Sequence, residues 1–91
     1  MPGYTGTKDV VQKRLRRIEG QVRGIQRMVD DDKYCIDVLT QIAAVQAALD
    51  KVALGLLDEH ARHCVIGAPG EERADKTEEL MAAVGRLMRR G

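Results

Sequence analysis

The chain has 91 residues, 44% of them hydrophobic and 32% charged. That is too apolar for a disordered segment and too short to bury a large core alone, so a partner subunit is an expected source of interior. The net charge of +1 conceals an asymmetry: residues 8–27 hold seven Lys or Arg against two acids, which points to an anionic partner there, nucleic acid first.

With two Tyr and no Phe or Trp, the core must be aliphatic, and most of its residues are good helix formers. The opening "MPGYTGTKDVV" lacks the apolar run of a signal peptide. No uninterrupted apolar stretch approaches the ~20 residues of a membrane span, so a cytoplasmic protein with no membrane partner is expected. In that reducing compartment two cysteines are thiols for metal, redox chemistry or packing rather than a structural disulfide.

In the first predicted helix, residues 8–30, Val11, Leu15, Ile18, Val22, Ile25 and Val29 alternate spacings of four and three. They form one narrow apolar stripe close to a heptad seam. Thr7 is a candidate N-cap, and the acidic run at residues 30–32 ends the helix. Arg16, Arg23 and Arg27 lie off the stripe, free to face solvent or phosphate.

The second predicted helix, residues 32–65, takes Asp32 as its N-cap and carries Cys35, Leu39, Ile42, Gln46, Leu49, Ala53, Leu56, His60 and Cys64 on one stripe. A helix of about thirty residues exceeds the ~8 to 20 usual in globular domains and argues for an antiparallel bundle between subunits. "GAPG" at residues 67–70 breaks the pattern. A third helix, residues 71–89, follows, with Glu71 and Glu72 at its start, Arg86, Arg89 and Arg90 at its end, and Leu80, Met81, Val84, Leu87 and Met88 as a buried face. Met28 likewise reads as core filling. The expected architecture is one all-α domain over residues 1–91, with three helices per chain.

His60 and Cys64 stand four apart, neighbours on one helix face. Cys35 shares their stripe but lies 29 residues before Cys64, ~44 Å along a straight helix at ~1.5 Å per residue. No metal bridges that within one subunit. If two copies of the helix pair antiparallel, Cys35 of one chain meets His60 and Cys64 of the other, giving two sites per dimer about an axis near Ala48 and Leu49. Two thiolates and an imidazole form a soft set suited to Cu(I), with Zn(II) possible given a fourth ligand. Taken singly, Cys35 also reads as a small buried hydrophobe and His60 as a core histidine. His63 falls off the stripe and reads as surface.

"RLRRIEGQVRGIQRMVDDDKYCIDVLTQIAAVQAAL" followed by "LLDEHARHC" resembles the copper-sensing repressors of the CsoR family, within a wider group that includes nickel/cobalt and formaldehyde sensors. The resemblance spans roughly residues 8–87. Its Cu(I) pattern of Cys, His and Cys maps onto Cys35, His60 and Cys64. Nickel/cobalt sensors carry His at the last position and a further N-terminal His, and persulfide sensors carry Cys where His60 stands; both departures favour copper.

The resemblance implies Tyr34 and Glu79 as polar partners of the ligands, with Glu79 linked to the ligand histidine. It also implies a tetramer built from four-helix-bundle homodimers, whose helical face binds operator DNA through Arg14 and Lys51, with Arg16, Arg17 and Arg23 on phosphates. Lys51 stands where Arg is expected. Pro2 is similar to the N-terminal proline of the formaldehyde sensors. The function implied is a repressor that holds operator DNA when metal-free and releases it on binding Cu(I). The alternatives are a thiol or electrophile sensor using Cys35, a nickel, cobalt or zinc sensor of the same fold, and a thiol-dependent enzyme using Cys35 with His60. The last lacks a glycine-rich strand-to-helix turn or an oxyanion-hole loop, so no enzyme activity is expected.

Overall fold

The computed structural model describes residues 5–88; Pro2, Arg89 and Arg90 lie outside them. After a short 3-10 turn at Thr5–Thr7 come helix α1, Lys8–Asp30, helix α2, Cys35–His60, a π-helical segment, Ala61–Ile66, and helix α3, Gly70–Met88. No strand occurs among the described residues, and the fold is all-α. The chain divides into two compact units, one spanning Thr7–Leu54 and the other holding residues 5–6 and 55–88 of the described chain.

In the first unit, the way α1 stops decides where the second helix begins. Asp32 has φ 55, the left-handed conformation that lets a chain leave a helix. Its amide donates to the Val29 carbonyl at 3.1 Å, and the next amide, of Lys33, donates to Met28 at 2.9 Å. This pair of bonds is a Schellman motif, which satisfies carbonyls that the end of α1 would otherwise orphan. Asp32 therefore closes the first helix and does not cap the second, contrary to the expectation from sequence. The chemistry explains the error: a short polar side chain suits both an N-cap and a left-handed C-terminal position. The second helix starts three residues later, its first bonds running from Asp37 and Val38 amides to the Tyr34 carbonyl at 3.0 and 3.2 Å.

The apolar stripe of α1 is only partly covered. Ile18 is buried and Val11 and Ile25 half-buried, but Leu15, Val22 and Val29 remain exposed. On α2, Val52 is buried, whereas Leu39, Ile42, Leu49 and Leu54 are exposed, Leu54 to 65%.

In the second unit, Val65 of the π-helical segment is buried and α3 packs against that segment. The Pro69 carbonyl accepts from the Glu72 and Arg73 amides at 2.9 and 3.1 Å, opening α3. Arg73 reaches back to donate to the carbonyls of Ile66 at 3.4 Å and Ala68 at 3.3 Å, long contacts that tie the turn together. A Cβ on Gly67 would stand 3.2 Å from the His63 carbonyl oxygen, so the tight turn after the π-helical segment favours glycine. No residue of α3 is buried; of its expected apolar face, Met81, Leu87 and Met88 are exposed and Leu80 and Val84 half-buried. The expected buried face of α3 is thus apolar but left largely uncovered in the single chain.

By length and composition, the helical stretch Cys35–Ile66 could cross a membrane. The sequence shows no unbroken apolar run because Asp37, Asp50 and Lys51 interrupt it, while its many Ala, Leu and Val residues keep the average apolar. Only 11% of its most apolar window is buried inside the chain.

Candidate metal centre and nucleic-acid surface

Cys35 is the first residue of α2, directly after the exposed Tyr34, and its thiol is free and exposed. His60 is the last residue of the same helix, and Cys64 lies within the π-helical segment, a free thiol of intermediate exposure. The wider winding of a π-helix alters the register that an unbroken α-helix would give His60 and Cys64, and such segments are frequent at functional sites. Nothing in the residue pattern distinguishes this segment from the helix before it, so it went unseen in the sequence.

His60 has the best defined surroundings of the three expected ligands. Its Nε2 stands 3.8 Å from the Glu79 Oε1 on α3, an ion-pair distance rather than a hydrogen bond. With Nε2 turned toward a carboxylate, Nδ1 is the nitrogen left for another partner. The imidazole is 29% exposed, so it is neither sealed in a core nor loose in solvent. His63 faces outward, its Nε2 3.1 Å from the Glu59 carboxylate one turn earlier, and Arg62 pairs likewise with Asp58 at 3.1 Å. Both neighbours are thus engaged in local pairs on the surface. Among the described residues, no three His, Cys, Asp or Glu side chains of one chain gather closely enough to hold a metal ion.

The basic residues separate into two settings. Arg14, Arg17 and Lys51 line one groove in the first unit, together with Gln21 and the small side chains Ala44, Ala47 and Ala48. Arg16 and Arg23 lie off that groove, and Arg23 is ion-paired with Glu19 one turn before it. At 63% and 66% exposure, such a pair contributes little and opens readily to a stronger anion. The alanine lining of this groove was absent from the sequence reading, although the tract "AAVQAAL" held the signal.

Comparison with known proteins gives these features a context. Residues 7–86 match the family described as metal-sensitive transcriptional repressor. The copper-sensing transcriptional repressor RicR of Mycobacterium tuberculosis is 60% identical over 92 residues, covering 96% of this chain and 94% of the relative. The copper-sensing transcriptional repressor CsoR of Bacillus subtilis is 64% identical over 61 residues, 67% of this chain and 60% of its own. The crystal structure of the copper-sensing repressor CsoR with Cu(I) from Geobacillus thermodenitrificans superposes with a TM-score of 0.85 at 46% identity, covering 98% of this chain and 94% of that one. A family match across most of the chain, joined to relatives of this identity, places the protein among regulators rather than enzymes: it belongs to the metal-sensitive transcriptional repressors.

Proposed function

We propose that this chain is a cytoplasmic, Cu(I)-responsive repressor that binds operator DNA when metal-free and lets it go when Cu(I) binds. The observation that carries the reading is the make-up of α2. Its first residue is a thiol donor, its last an imidazole with one nitrogen turned to Glu79, and between them the large apolar side chains Leu39, Ile42, Leu49 and Leu54 are left exposed. A second copy packed antiparallel covers those side chains and brings Cys35 to the partner's end of the helix pair. In this arrangement the apolar excess of α2 meets protein rather than lipid, and homodimers pair into a tetramer.

The donor chemistry fits the metal. Cys35 and Cys64 supply two soft sulfurs and His60 a nitrogen, and bound Cu(I) supplies the preference for such a low-coordinate, thiolate-rich set. Glu79 fixes the His60 ring, and Tyr34 sits beside Cys35 to shield or hydrogen-bond the site. Arg14, Arg17 and Lys51 hold the DNA backbone in their groove, and Arg16 and Arg23 add phosphate contacts from the outer surface of α1.

Since one protein carries both ligands, their opposition must be reciprocal, with a coupling of order 1–3 kcal/mol or more, about 5- to 150-fold. Cu(I) affinity measured with and without operator DNA, using Cys35→Ala as the control, tests this. Weaker copper binding on DNA is expected; equal affinities would end the allosteric reading. The exposure of the Cys35 thiol favours one competing input, reaction with an electrophile. Mass spectrometry separates the two, since copper sensing leaves both thiols unmodified.

A further inference from the structure

We infer that Gln21 is a sequence-reading residue of the DNA surface and that the groove around it reads an A·T base pair. The inference rests on the DNA-binding reading above and extends it from affinity to specificity. Among the groove side chains used so far, Arg14, Arg17 and Lys51 are cations. Cations on phosphates position a protein on a duplex but carry no sequence information by themselves. Gln21 is the one uncharged polar side chain lining the same groove.

Gln21 is exposed, and no hydrogen bond ties its amide to another described residue. A free carboxamide offers donors and an acceptor together. That combination matches the adenine N6 and N7 edge in the major groove, which Gln contacts bidentately. Ala44, Ala47 and Ala48 line the same groove. These side chains leave room for close approach, and a methyl side chain is a suitable neighbour for the C5-methyl group of thymine. One lining therefore offers a partner for each base of an A·T pair, with cations placed to hold the flanking backbone.

The test is operator binding by Gln21→Ala against a panel of duplexes in which each operator base pair is replaced in turn. The expected result is loss of discrimination at one A·T position per half-site, by about 5- to 150-fold for each good bidentate contact. The slope of log affinity against log salt should stay unchanged, because no phosphate contact is lost. Arg14→Ala should do the reverse, lowering that slope by about 0.9 and leaving the base preferences intact. Gln21→Glu should move the preference toward cytosine, whose N4 donor a carboxylate accepts. If Gln21→Ala keeps the whole preference profile of the parent while Arg14→Ala weakens binding, the inference falls and the DNA-binding reading stands. If the parent protein shows neither salt-dependent binding nor base preference, the DNA-binding reading itself falls.

Discussion

The left-handed backbone at Asp32 sets up a test in which sign and size both follow from geometry. An L-residue in this conformation costs about 1–2 kcal/mol, with Asp near the lower end because its short polar side chain tolerates it. Glycine removes that cost but returns about 0.5–1 kcal/mol through its greater freedom in the unfolded chain. Asp32→Gly should therefore be neutral to modestly stabilising. Asp32→Ala keeps a Cβ and loses the polar side chain, so it should be destabilising. The informative quantity is the gap between the two variants, about 1 kcal/mol in favour of glycine. For a chain of this size that is about 4–8 °C in melting temperature. Thermal unfolding followed by circular dichroism reads it, provided every variant is held at one protein concentration, because assembly contributes to the midpoint. An alanine variant melting at or above the glycine variant would refute the reasoning, since it would mean that the Schellman turn is not formed at Asp32.

Two further outcomes are expected. Glu79→Gln should weaken Cu(I) binding about tenfold, the low end of what removing a ligand's orienting partner costs, because Glu79 is 60% exposed. Competition with a Cu(I) chelator measures it, with Glu78→Gln as an unaffected neighbour; an unchanged affinity would show that the 3.8 Å approach to His60 does not orient the ring. Dilution should lower the melting temperature by several degrees over a hundredfold range, as each tenfold step withdraws about 1.4 kcal/mol from an association equilibrium. A midpoint independent of concentration would mean that the exposed apolar stripes are not covered by another copy.

The three-helix order was legible because it rests on periodicity. The alternating spacing from Val11 to Val29, the longer stripe from Cys35 and the Gly-Ala-Pro-Gly break are all local signals that the helices obey. The start of the second helix was misread because three consecutive aspartates suit either a helix start or a helix end, and only the backbone at Asp32 separates the two. The π-helical segment at Ala61–Ile66 was invisible because the same residues satisfy either winding. The clasp made by Arg73 was equally hidden, since it depends on a turn that brings a side chain back to carbonyls five and seven residues earlier. Periodicity named Met81 and Met88 as buried-face residues, but in the single chain both are exposed, because a spacing pattern marks an apolar face without supplying what packs on it.

Residue type and spacing singled out Cys35, His60 and Cys64 as candidate ligands, and resemblance singled out Arg14, Arg17 and Lys51 as candidate DNA contacts. Their meeting in one groove needed three dimensions. His60 and Glu79 lie nineteen positions apart in the chain, beyond any helical spacing rule, so only the resemblance implied their link, and the return of α3 brings the two side chains to 3.8 Å.

Only three hydrophobic side chains, Ile18, Val52 and Val65, are buried among the described residues of the single chain. If like copies supply the missing cover, folding and assembly become one event, and each substitution on the shared surface is felt once per subunit. A change too mild to harm an isolated domain is then multiplied by symmetry, so the face joining the copies has less tolerance for mutation than its exposure in one chain suggests.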